Sequence, residues 1–206
     1  MTPKTPERYE IAVLVGSLRR ESFNRRLAEA VARLAPPDFS FTLLSLQDLP
    51  PYDQDDDDQP AAAVQRLKAM IVAAQGVLFV TPEYNRSIPG VLKNAIDHAS
   101  RPYGKSAWKG KPAALIGVSI GAVGTAVAQQ HLRNVLAYLD MPTLGQPEVF
   151  LQAADGLFDD HGAIGAGSRE FMQRWMDAFS AWVRQHQALS DTTDQEATTA
   201  DDASVR

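Results

Sequence analysis

The chain has 206 residues, 45% hydrophobic and 22% charged, with a formal net charge of -5; this suits one domain with a substantial core and gives no basic face for nucleic acid or anionic lipid. It contains no cysteine, which excludes disulfides, iron–sulfur ligation, thiolate catalysis and Cys-based zinc sites. The polar start "MTPKTPERYE" lacks the apolar core of a secretory signal, and no apolar run approaches the ~20 residues of a membrane helix, so we expect a cytoplasmic protein with no membrane span.

Residues 1–8 read as a flexible N-terminus, 9–188 as one domain, and 189–206 as a disordered acidic tail too polar to bury surface. "YEIAVLVGS" is a short apolar run bounded by Gly16 and Ser17 and reads as a buried strand. From Ser22, the positions Leu27, Val31 and Leu34 recur at helical spacing until Pro36–Pro37. Phe39–Leu46 reads as a second strand, and Val64, Leu67, Met70, Ile71 and Ala74 mark one face of a second helix, broken at Gly76. "VLFVT" is a third strand. Pro89 then opens a helix, where its missing N–H costs no intrahelical bond. Pro112–Ser119 gives a fourth strand, and a helix with Leu132, Val135, Leu136 and Leu139 ends before Pro142. "PEVFL" makes a fifth strand, and Phe171, Trp175, Phe179 and Trp182 stripe a last helix.

Strands apolar throughout, alternating with helices, predict an α/β fold: a parallel sheet covered by helices on both faces. Five strands fit the doubly wound order 2-1-3-4-5, whose ligand crevice opens where the strand order reverses. Three polar or glycine-rich loops converge there: "GSLRRESFN", "PEYNRSIPG" and "SIGAVGT".

In the first loop, Ser17 and Ser22 offer hydroxyls, Arg19 a forked cation and Asn24 an amide, all beside a helix start. That combination suits a phosphate dianion, against the plainer reading of Ser22 as an N-cap with solvated arginines. The loop has neither G-x-G-x-x-G nor a Walker pattern, which disfavours a dinucleotide clamp and a nucleoside triphosphatase and leaves a mononucleotide. The prolines around Glu83, Tyr84 and Asn85 stiffen a corner able to frame a flat heterocycle; alternatively Glu83 is a helix-start acid and Tyr84 a core or interface aromatic. Gly121 and Gly124 permit close approach to a ring, or simply make a tight turn. His98, His131, His161 and His186 show no metal-ligand spacing and read as surface or interface residues, so we expect no metal site. The run Asp55–Asp58 reads as a solvated loop.

"GSLRRESFN", "LPPYDQD", "TPEYNRSIPGVLKNAIDHASRP" and "QHLRNVLAYLD" resemble, in order, the NADPH-dependent FMN reductase family, in its flavodoxin-like branch of bacterial chromate, quinone and azo-dye reductases. The resemblance runs from about Tyr9 to Phe150 and more weakly through the last helix. It implies non-covalent FMN, with Ser17, Leu18, Arg19, Ser22, Phe23 and Asn24 at the 5′-phosphate. Pro82, Glu83, Tyr84 and Asn85 would border the isoalloxazine, with Ser119 and Gly121 near its other edge. It also implies NADPH or NADH as donor, ping-pong transfer to a small acceptor, no catalytic side chain, and a homodimer or homotetramer with the helix after "PEYN" at the interface. A flavodoxin-like electron carrier reduced by a protein partner is the alternative. Arg86 departs from the aromatic the family often carries after "PEYN".

Overall fold

A computed structural model describes residues 8–204. One parallel sheet runs through it in the order β2-β1-β3-β4-β5, as the alternation predicts. The strands are β1 (Tyr9–Val15), β2 (Phe39–Leu43), β3 (Gly76–Val80), β4 (Ala113–Ser119) and β5 (Phe150–Gln152). The helices are α1 (Phe23–Ala32), α2 (Ala62–Ala73), α3 (Gly90–Ser100), α4 (Ala126–Tyr138) and α5 (Ala166–Ser204).

Successive side chains of a strand point to opposite faces, and this divides the core. Ile11, Val13 and Val15 pack with Leu27 and Val31 of α1 and with Trp175 and Phe179 of α5. Ala12 and Leu14 face the other way, against Leu67 and Ile71 of α2, Leu92 and Ile96 of α3, and Leu132 and Leu136 of α4. Each layer therefore buries a continuous apolar face, which supplies most of the driving force for folding. β1 pairs with β2 on one side and β3 on the other, both parallel. The chain thus reverses direction across the sheet at β1/β3, and the strand tips there must splay their loops apart.

Several expectations need correction. β2 ends at Leu43, although the Leu44 N–H still donates to the Val13 carbonyl. Pro89 is the cap residue rather than the first helical position of α3, with ψ 146°. The acidic run is largely exposed, as read, but it carries some order: Gln54–Asp56 forms a 3-10 turn whose cap, Asp53, accepts the Asp55 N–H at 3.0 Å. α5 is helical to Ser204, through the tail expected to lack order; no Gly or Pro after Gly167 interrupts its backbone hydrogen bonding. The expected flexible N-terminus lies, except for Arg8, outside the described residues.

His98 is buried rather than a surface residue. Its Nε2 lies 2.9 Å from the Pro50 carbonyl, and its ring meets Tyr52 edge-on. One turn earlier Asn94 donates to the same carbonyl and accepts the Tyr52 N–H. These two α3 side chains clamp the Pro50–Tyr52 segment.

Candidate active site

The β1–α1 loop delivers the first wall. Ser22 has extended backbone geometry and its Oγ accepts the Arg25 N–H at 3.2 Å, a genuine N-cap. Helix geometry leaves the Phe23 and Asn24 N–H groups without an intrahelical acceptor. The Ser22 hydroxyl proton remains available as a donor beside them. Ser17 is buried, and its Oγ accepts the Arg19 N–H at 3.4 Å, folding the loop back on itself. The Arg19 guanidinium lies 6.0 Å from the Phe23 ring centroid and has no acidic partner among the described residues.

Asn24 points inward. Its Nδ2 donates to the Val118 carbonyl at 2.9 Å and its Oδ1 accepts the Val118 N–H at 3.0 Å. The amide expected at a phosphate is thus committed to β4, where it fixes the start of α1 against the strand tips. Ser22 and Asn24 therefore divide the work: one leaves donors free, the other positions them.

The β3–α3 loop supplies the second wall. Tyr84 and Ser87 exchange two backbone hydrogen bonds of 3.0 Å around Asn85 (φ 51°) and Arg86 (φ 63°). Two consecutive residues in the left-handed region make this a type I′ turn. For a residue such as Arg86, that conformation costs of order 1–3 kcal/mol and calls for surrounding support. Glu83 provides it. Its Oε2 accepts the N–H groups of Val127 and Ala128, both at 3.1 Å, and its Oε1 lies 3.4 Å from Arg86. Thr125, the residue before α4, makes no side-chain cap of its own. Glu83 therefore caps α4 from another loop, so the helix-start reading of this acid holds, but for a helix far along the chain.

The third wall is the end of β4. A Cβ at Gly117 would overlap the Thr81 carbonyl oxygen and Thr125 Oγ1, so only glycine lets β3 and β4 come together here. Gly124, at φ +63°, turns its missing Cβ toward Phe150 of β5 rather than toward a ring.

Ser17, Arg19, Ser22, Phe23, Asn24, Pro82, Glu83, Tyr84 and Ser119 line one cleft of about 290 Å³. Three expected residues stand outside it. Leu18 lines an adjoining groove; Asn85 sits in the exposed turn; Gly121 is exposed and donates its N–H to Ser119 Oγ. Val118 and Ile120 line the cleft without having been expected. Ile120 carried a signal, being a bulky apolar residue among small ones in "SIGAVGT", and it is 77% exposed. Val118 gave none, since its side chain reads as core. A volume near the lower end of the usual ~300–1,000 Å³ range suits a ligand only partly enclosed. A larger cavity, about 610 Å³, lies between α3 and α4 near Lys93, Arg101 and Tyr138. No strand tip lines it; its cations, Lys93, Arg101 and Lys109, come from α3 and the loop that follows it.

The cleft is polar and cationic at the α1 end and flat and apolar between Tyr84 and Ile120. Its one carboxylate, Glu83, is already satisfied by α4 and Arg86. The residues present thus fit a flavin mononucleotide: an uncommitted cation, hydroxyls and helix N–H groups for the dianion, and open strand tips for a planar ring.

Comparison with known proteins agrees with this geometry. The description of the NADPH-dependent FMN reductase family matches residues 9–156. A 2-hydroxy-1,4-benzoquinone reductase from Burkholderia is 53% identical over 85% of this chain and 96% of its own length. A quinone reductase from Pseudomonas putida is 46% identical over 88% and 98%. Among solved structures, a flavoenzyme NAD(P)H:acceptor oxidoreductase from Paracoccus denitrificans superposes with a TM-score of 0.83 at 42% identity, covering 86% of this chain and 98% of that one. The chain belongs to the NADPH-dependent FMN reductase family.

Proposed function

We propose that the chain is an FMN-dependent NAD(P)H:acceptor oxidoreductase acting on quinones, with azo compounds and chromate as further acceptors. The observation that carries this is the unpartnered Arg19 with Ser22 and the free α1 N–H groups at one end of a cleft whose other end opens between Tyr84 and Ile120. When bound, FMN supplies the redox chemistry, accepting a hydride equivalent from the nicotinamide and passing electrons to the acceptor. The residues around it bind and orient: Arg19, Ser17 and Ser22 hold the phosphate, and the Pro82–Tyr84 corner and Ser119 border the ring. Leu18, Asn85 and Gly121 would act from its margin. No side chain is needed as acid, base or nucleophile. Donor and acceptor take turns on one open face, so proximity and orientation do most of the work.

The same reading places the protein in the cytoplasm as a homodimer or homotetramer. In support, no described helix is long and apolar enough to cross a membrane, and Tyr103 and Tyr138 stand exposed beside α3 and α4. The quinone preference rests on the activities named for the relatives. Anaerobic addition of NADPH to the yellow protein should bleach the flavin, and initial rates with a quinone should give parallel double-reciprocal lines. A colourless protein that does not take up FMN would end this reading, and a flavin that NADPH and NADH leave oxidised would favour an electron carrier.

A further inference from the structure

We propose that a second groove, beside the phosphate end of the cleft, binds an adenylate group, so that the chain holds FAD as well as FMN. This rests on the flavin reading of the cleft. The groove, about 170 Å³, lies between the tips of β1 and β2 and shares Ser17 with the cleft. Val15 and Leu44, both buried, form an apolar floor, and Leu18, 48% exposed, lines the groove next to Ser17. Arg25 and Gln47 supply the polar rim. Among the described residues the Arg25 guanidinium has no acidic partner and the Gln47 amide no hydrogen bond.

The neighbouring acid is already engaged. Asp48 accepts from Ser45 Oγ and pairs with Arg66. A second phosphoryl group leaving the Arg19–Ser22 end would pass Ser17 and Leu18 and meet Arg25, in a groove whose lining holds no carboxylate. An adenine ring would lie on the apolar floor with its amino edge toward Gln47, whose amide matches the donor–acceptor pair of that edge. A nicotinamide nucleotide carries the same adenylate, but its reacting end belongs at the ring, between Tyr84 and Ile120. The shared Ser17 joins the groove to the phosphate end, which favours the flavin's own adenylate.

The test is to titrate the flavin-stripped protein with FMN and with FAD, following flavin fluorescence, for the parent, Gln47→Leu and Arg25→Ala. The parent should bind FAD at least as tightly as FMN. Each variant should weaken FAD by about 10-fold or more and leave FMN within about 2-fold, which also shows that the variant is folded. FAD binding more than about 10-fold weaker than FMN in the parent, or equal losses of both flavins in the variants, would overturn the groove and leave the proposed function standing. A parent that binds neither flavin overturns both. If the variants instead raise KM for NADPH on FMN-loaded protein without touching FAD affinity, the groove serves the nicotinamide nucleotide and the FAD assignment is wrong.

Discussion

Glu83→Ala removes the only side-chain cap at the start of α4 among the described residues. Glu83 is held at 9% side-chain exposure, and it accepts two backbone N–H groups at 3.1 Å while facing Arg86 at 3.4 Å. Without it, the half-buried Val127 and buried Ala128 N–H groups lose their acceptor. Hydrogen bonds to a charged group contribute about 1.5–3 kcal/mol, and loss of an N-cap costs about 0.5–2 kcal/mol. These describe overlapping contacts, so we expect a loss of about 2–3 kcal/mol, or roughly 5–10 °C in Tm for a chain of this size. Glu83→Gln keeps one oxygen in place and should lose about half as much. Because Pro82–Tyr84 lines the cleft, the alanine variant should also bind FMN more weakly. Thermal unfolding by circular dichroism, with a parallel flavin titration, measures both. A Tm within about 2 °C of the parent, or a glutamine variant as damaged as the alanine one, would refute the capping role.

Asn24→Ala should cost about 2–3 kcal/mol in denaturant unfolding, because it strands the buried Val118 backbone pair; a loss under about 0.5 kcal/mol would contradict the clamp. Arg86→Gly should be neutral or stabilising by up to about 1 kcal/mol, since glycine accepts φ 63° freely while the lost Glu83 contact is mostly exposed; Arg86→Val should destabilise, and Tm ranks the three. The Arg184 guanidinium, hydrogen-bonded to Asp38, holds that carboxyl below the usual carboxylate range. A depressed folded-state pKa stabilises the fold above the unfolded value and loses that contribution as pH falls through the folded one. Asp38→Asn should thus cost roughly 0.5 kcal/mol at neutral pH, solvent screening the half-exposed pair, and the gap should close in strong acid. Urea unfolding at several pH values checks the sign.

Strand order and helix faces were legible because each element carries its own periodicity: Ile11, Val13 and Val15 against Ala12 and Leu14 show the two faces within one strand. The Ser22 cap was equally local. The contacts that build the site are not local. Asn24 meets Val118 across 94 residues and Glu83 meets Val127 across 44, and one sequence gives no cue to either partner. Thr125 looks like an adequate cap for α4, yet its Oγ accepts from Gln129. The turn at Asn85–Arg86 was obscured because a type I′ turn usually advertises itself with glycine. The burial of His98 is equally invisible in one sequence, because its partner, the Pro50 carbonyl, lies 48 residues away.

Flavin binding by Arg19→Ala tests the whole arrangement most directly, with FMN and riboflavin titrated side by side against parent and variant. If the dianion sits at the start of α1, FMN affinity should fall by about 10-fold or more, the weight of a charge-assisted contact, while riboflavin, which has no phosphate, stays within about 2-fold. Equal losses for both flavins, or no loss for either, would show that the phosphate does not lie there.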